Sequence, residues 1–259
     1  MCLMLKTNLY KPLPHMRNTL PLIYVMLLFS FISCKKEKAS SSDSITNQQA
    51  AFMISTALAS NANGLISIKN DIYNYTKNLA TNSAGCGVPD ISAAARQEAA
   101  NAVIDYNYAM GYQYILNCTG TTKDSLSTNI NYNGSFEATG LSGMNSGVYT
   151  IMLTGLADAT NYYLNGTYQN SGTYTTTDGT NLNGNYSTTI TITNYTLLKS
   201  NGNTTGGTAI VTVSGDVKNK SAFSYSGTLT FKSGGIALLV LGTQKYNVNL
   251  TTAEVTPTS

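Results

Sequence analysis

Few residues in this chain have the type and spacing that chemistry needs. The one histidine, His15, lies ahead of Cys34. From Cys34 on there is no Ser-His-Asp or Cys-His nucleophile and no histidine to ligate a metal. No G-x-S-x-G elbow, Walker loop or paired C-x-x-C stands anywhere in the sequence. Carboxylates remain, and two of them suffice for glycoside hydrolysis. Glu137, Asp158, Asp178 and Asp216 are spread over expected strands and turns. Nothing in their spacing brings two together, and solvated acids at strand ends are the plainer reading. The expectation is a protein that is not an enzyme, with no cofactor and no metal site.

A cysteine carries the strongest signal. Lys6, Lys11 and Arg17 precede an uncharged apolar run of 13 residues, Leu20 to Ile32, which ends at Phe31-Ile32-Ser33-Cys34. A basic start, a short apolar stretch and a small residue before the cut mark a secretory signal. A spanning helix needs about 20 apolar residues, because the hydrocarbon core is about 30 Å thick. Residues 1–33 therefore read as a signal peptide, with Met16 an alternative start to Met1. The junction resembles the lipobox of bacterial lipoproteins, where a small residue precedes an acylated cysteine. Ser33 and Cys34 match that pattern. Phe31 stands where Leu is usual, and Ile32 is bulkier than usual. The relaxed box followed by Lys35-Lys36-Glu37-Lys38 is similar to lipoproteins of the Bacteroidota. The resemblance implies palmitate-type acylation of Cys34 and attachment to the outer membrane or cell surface. It covers about 25 residues and implies an address without an activity. Each buried CH₂ contributes about 0.8 kcal/mol, so two or more acyl chains hold stably where one does not.

The leader holds three of the 15 Lys and Arg and none of the 12 Asp and Glu. The chain from Cys34 on thus carries 12 of each sign and no net charge. A neutral chain without a basic stripe lacks the phosphate neutralisation on which nucleic-acid binding rests. The expected partner is the membrane, through the lipid. A protein or glycan partner is not legible.

Cys86 and Cys118 form an even pair in a chain read as exported, which points to a disulfide, with two free thiols as the alternative. One continuous helix over 90–117 would hold them about 45 Å apart. A strand that returns would bring them together.

The elements that position these residues follow from periodicity. Residues 34–45 read as a flexible, lipid-anchored tether. Ala51, Ile54, Leu58, Asn61, Leu65, Ile68, Ile72, Tyr75 and Leu79 recur at alternate spacings of three and four, one stripe of an amphipathic helix over 46–84. Asn63-Gly64 is its weak point. The alanines of 91–103 favour a short helix capped by Asp90. From Tyr106 the period becomes two, with Tyr106, Tyr108, Met110, Tyr112, Tyr114 and Leu116 on one face. To residue 252 the pattern is an antiparallel meander with one wet face, of about nine strands. Only Ile236–Leu241 is apolar on both faces. Asp178-Gly179 has the composition of a two-residue hairpin. Glycines such as Gly134, Gly166, Gly184 and Gly227 fall within strands beside aromatics, which permits strong curvature under covering rings. The fold class is α+β: a long N-terminal helix packed on a strongly curved sheet, barrel-like or an open roll, with a tail at 253–259.

Function divides four ways. An exposed Tyr row suits sugar stacking, but strict alternation with Asn and Thr favours packing. A cavity inside the curved sheet suits a carrier or binding module for an apolar ligand or glycan; a helix that fills the concave face opposes it. An enzyme has no support in the residues. A non-catalytic envelope or surface protein with a structural or macromolecular-contact role needs the fewest assumptions. Asp43-Ser44-Ile45 and Asp124-Ser125-Leu126 resemble the short O-glycosylation motif of exported Bacteroidota proteins, which marks Ser44 and Ser125 as acceptors.

Overall fold

The computed structural model describes residues 44–80, 85–98 and 104–258. Cys34, the lipobox-like residues before it and most of the segment read as a tether lie outside them.

The helical segment begins with a capping box. Gln49 N–H donates to the Thr46 hydroxyl at 3.2 Å, and Thr46 N–H donates to the Gln49 side-chain oxygen at 2.9 Å. Two short helices follow in place of the single long one expected, α1 (Asn47–Leu58) and α2 (Leu65–Lys77). The break falls at the weak point. Ser60–Ala62 forms a single 3-10 turn and Asn63 is left-handed at φ 54°. A Cβ on Gly64 would lie 2.7 Å from the Ala57 carbonyl oxygen, so only glycine lets the second helix start this close to the first. The stripe survives the break: Ala51, Ile54, Leu58, Leu65, Ile68 and Ile72 are all buried.

The rest is one antiparallel sheet of 11 strands paired strictly in chain order. They are β1 (Pro89–Gln97), β2 (Ile104–Thr119), β3 (Thr122–Ala138), β4 (Leu141–Thr154), β5 (Asn161–Thr176) and β6 (Asn183–Leu198). Then come β7 (Thr204–Asp216), β8 (Ala222–Phe231), β9 (Ile236–Leu241), β10 (Gln244–Asn249) and β11 (Val255–Pro257). Among the described residues β1 and β11 do not pair, so the sheet is open.

Four expectations need correction. Residues 91–97 are strand, not helix: β1 pairs with β2 in the register Ala93↔Gly111, because helix propensity is a weak prior and β2 offers a free edge. The supposed tail contributes β11, with Val255 opposite Val248. The meander divides more finely than about nine strands allow: β4 starts at Leu141, with two residues between it and the end of β3, and a turn at 155–160 separates it from β5. Asp178-Gly179 sits in a wider loop, in which Asp178 accepts from Thr180 N–H at 3.0 Å. These changes take the count from about nine to 11.

The disulfide follows from the corrected strand. Pro89 lies opposite Ile115 and Gly87 N–H donates to the Leu116 carbonyl at 2.8 Å. Cys86 and Cys118 are thereby bonded, with 5.7 Å between their Cα atoms.

The inner face is the expected one. Ile130, Tyr132 and Phe136, then Tyr186, Ile190 and Ile192, are buried while their strand neighbours face out. The tyrosines pack on one another: the Tyr149 and Tyr168 rings stack at 4.4 Å and the Tyr132 and Tyr168 hydroxyls share a hydrogen bond of 2.5 Å. Of the four strand glycines named above, only Gly134 lies under a ring; Gly166, Gly184 and Gly227 face backbone, Asp216 or Leu241, while rings also cover Gly143, Gly147 and Gly215. A Cβ on Gly134 would meet the Tyr108 ring at 2.5 Å and one on Gly147 the Tyr132 ring at 2.6 Å. β9, although apolar on both faces, is fully buried on only one, with Ile236, Leu238 and Val240 half-buried.

The helices lie on the concave face and tie its two sides. Ser55 donates to the Ala253 carbonyl at 2.8 Å and Ser60 N–H to the Leu250 carbonyl at 2.9 Å, which binds α1 and the turn after it to the β10–β11 turn. α2 reaches the first strands through Asp71, paired with Arg96 at 2.6 Å and bonded by the Tyr112 hydroxyl at 3.2 Å. Ile104 and Ala138 share a small buried cluster with Ala253, Ala59 and Ala62. The two sides of the sheet therefore meet through side chains and helix, without strand pairing.

Candidate functional site

The structure separates the four carboxylates named from sequence. Glu137 lies opposite Asp105 on the outer face of β2 and β3, both exposed. Asp158 caps the β4–β5 turn, accepting from Asn161 N–H at 2.8 Å and Thr160 N–H at 2.6 Å. Those bonds hold its carboxyl below the usual range. Asp216 accepts from Asn185 N–H at 3.3 Å. Asp178 accepts from Gln49 Nε2 at 2.8 Å and from the Thr180 hydroxyl at 2.5 Å. Burial would raise its pKa, but those hydrogen bonds outweigh burial and keep the carboxyl below the usual range. No two of the four share a partner, and among the described residues no three His, Cys, Asp or Glu stand as metal ligands. Of the proposed acceptors, Ser44 is half-buried just before α1. Ser125 is half-buried in β3, where Asn117 Nδ2 donates to its hydroxyl at 3.0 Å. Most tyrosines of the strand rows are buried on the inner face, with Tyr106, Tyr162, Tyr163 and Tyr225 half-buried.

The described residues form several hollows, the roomiest about 650 Å³ beside Glu98, Asp105 and Glu137; one of the others has mostly apolar walls. This cavity, of about 540 Å³, opens where the start of α1, the β3–β4 turn, the end of β5 and the Thr252–Val255 segment converge. Phe52, Ile104, Ala138, Leu141 and Val255 make its walls. Gln48, Gln49, Thr139, Asp178 and Glu254 supply its polar groups. The size, and a lining whose exposed surface is mostly apolar with polar groups interspersed, are those of a small-molecule site. It does not occupy the concave face, which the helix stripe fills as the packing argument expected. It lies on the other side of α1, at the seam between the two sides of the sheet. Successive helical residues turn by about 100°, so Gln48 and Phe52 share a face turned away from Ile54 and Leu58.

This site was not legible in the sequence. Its walls come from segments far apart along the chain, and none carries a motif. Phe52 was the one available signal: a large aromatic off the apolar stripe, half-buried in the fold. An off-stripe aromatic on a surface helix needs a second partner, and here it is the cavity.

Another hollow, of about 460 Å³, lies beside Lys69 on α2, near the β6–β7 and β8–β9 turns. The Lys69 ammonium donates to the Gly202 carbonyl at 3.1 Å, and burial lowers its pKa. That bond ties α2 to the β6–β7 turn, as does the Tyr73 hydroxyl on the Lys199 carbonyl at 2.9 Å.

The outer face is uncharged over its middle. β4, β5 and β6 contain no Asp, Glu, Lys or Arg. Met144, Val148 and Met152 stand exposed along β4, among Ser, Thr, Asn and Gln.

Comparison with known proteins gave no match to the chain among family models, curated proteins or solved structures.

Proposed function

We propose that this chain is a non-catalytic, lipid-anchored envelope protein that holds a small apolar molecule in the seam cavity. The lipid address rests on Cys34 and its flanking residues, as read from sequence. The binding role rests on one observation: an apolar cavity of about 540 Å³ in a protein whose concave core is otherwise filled. The mostly apolar wall surface favours an apolar guest, and each ligand CH₂ buried against it contributes about 0.8 kcal/mol. The absence of histidine after Cys34 favours binding over catalysis.

The test is titration of the purified full-length chain with a neutral solvatochromic dye. Saturable blue-shifted emission is expected, weakened by Val255→Trp, which fills the cavity from its rim. Unsaturable emission, or binding unchanged in a folded Val255→Trp variant, would remove the reading. The address is tested separately by the mass of the native N-terminus, expected to be acylated Cys34. A chain that begins elsewhere would end the lipoprotein proposal.

The uncharged face of β4 to β6 favours a second role, contact with neutral macromolecules such as glycans. Co-sedimentation with insoluble neutral polysaccharides, lost on Gln169→Glu, is its test.

A further inference from the structure

We infer that the occupant of the seam cavity is a single-chain amphiphile with a cationic head. The inference rests on reading the cavity as a ligand site and concerns what the site selects. Its walls are hydrocarbon and suit an alkyl chain. Its charged groups are Asp178 and Glu254, with no Lys or Arg among its lining residues. Neither carboxylate has an ion-pair partner among the described residues. The hydrogen bonds from Gln49 and Thr180 fix the Asp178 carboxylate at the cavity edge and favour its ionised form. The start of α1 adds a positive end, since Gln48 and Gln49 line the same opening. A helix N-terminus is worth about half a unit charge, and the Thr46 cap already occupies Gln49 N–H. Two carboxylates against half a charge leave the opening negative.

A head carried at such an opening sits in partly exposed surroundings, where each carboxylate within a few ångströms changes affinity by about fivefold or more. A cationic head gains from both carboxylates and an anionic head loses to both. The expected preference for the cation over the anion is therefore at least about tenfold at low salt, shrinking as salt screens it. A neutral head should fall between.

The experiment displaces the neutral dye from the full-length chain with decyltrimethylammonium, decanol and decyl sulfate, each below its micelle concentration. The order cation, alcohol, anion supports the inference. The Asp178→Asn, Glu254→Gln double variant, checked for folding by circular dichroism, should bring cation and anion to within about twofold. If the three heads compete alike, or the alcohol or anion competes best, the head assignment is wrong and the apolar site stands. If the double variant keeps the full preference, the two carboxylates are not its source and the inference fails. If none displaces the dye, the ligand site itself is refuted.

Discussion

Arg96 Nη2 lies 2.6 Å from Asp71 Oδ1, and this pair joins the outermost strand to the helix inside the sheet. β1 is exposed along nearly its whole length, so packing holds it little. Burial of Arg96 would lower its pKa, but the Asp71 hydrogen bond and charge outweigh burial and raise it. Arg96 also donates to Asn63 at 3.1 Å, and Asp71 accepts from the Tyr112 hydroxyl. The side chains are 28% and 18% exposed, between a surface pair and a buried one. Arg96→Met should cost about 1–2 kcal/mol on that basis. A double-mutant cycle with Asp71→Asn, read by urea denaturation, should give a coupling of about 1 kcal/mol or more. A coupling near zero would mean that β1 is held by its ladder alone.

The Cys86–Cys118 bond closes a separation of 32 residues just outside that strand. Loop entropy assigns such a crosslink about 3.5–4 kcal/mol, from restriction of the unfolded chain. Cys86→Ser with Cys118→Ser should lower stability by about that much or less. Hydrogen exchange should rise first in β1, which the bond and Arg96 anchor from opposite ends. Uniform loss of protection would contradict a local role.

The inner face was legible because alternation in a half-wet sheet is set by the residues themselves. Tyr132 against Asn131 and Tyr186 against Asn185 leave one register possible. The break at Asn63-Gly64 was legible for a similar local reason. β1 was not, because Ala93, Ala94 and Ala95 favour a helix weakly and only the edge of β2, a long-range partner, makes them a strand. β11 was missed because Val255–Pro257 is too short for a pattern to register. The seam cavity was out of reach because Phe52, Ile104, Leu141 and Val255 meet only through the curvature of the sheet. Strand glycines permit that curvature, but its degree depends on the whole sheet.

The tyrosine core makes stability fall at alkaline pH. Burial pushes Tyr186 and Tyr195 up to about 12, and raises Tyr149 and Tyr168 well above the ordinary value of 10.0. A folded pKa above the unfolded one means that the fold holds the phenol proton more tightly. The contribution is fully present below pH 10.0 and is lost as pH rises towards 12. Near pH 12 Tyr186 and Tyr195 should each have removed roughly 2 kcal/mol. Phenolate absorbance should therefore show a slow class that ionises with unfolding, and Tyr149→Phe should leave acid stability unchanged. Ionisation of all tyrosines near pH 10.0 in the folded chain would contradict the buried core.

Gly134 and Gly206 separate space from backbone freedom. Neither has a positive φ, so an alanine strains neither backbone. A Cβ on Gly134 would lie 2.0 Å from the Asn107 carbonyl oxygen and 2.5 Å from the Tyr108 ring, while one on Gly206 would meet nothing within 4 Å. Backbone oxygen cannot step aside without loss of the β2–β3 ladder. Gly134→Ala should therefore cost about 1–3 kcal/mol or more through overpacking. Gly206→Ala should be neutral or stabilise by up to about 1 kcal/mol, because it restricts only the unfolded chain. Thermal melts of the two variants side by side decide the matter. Equal effects would mean that the ring over Gly134 can shift, and that the aromatic cover does not fix the curvature of the sheet.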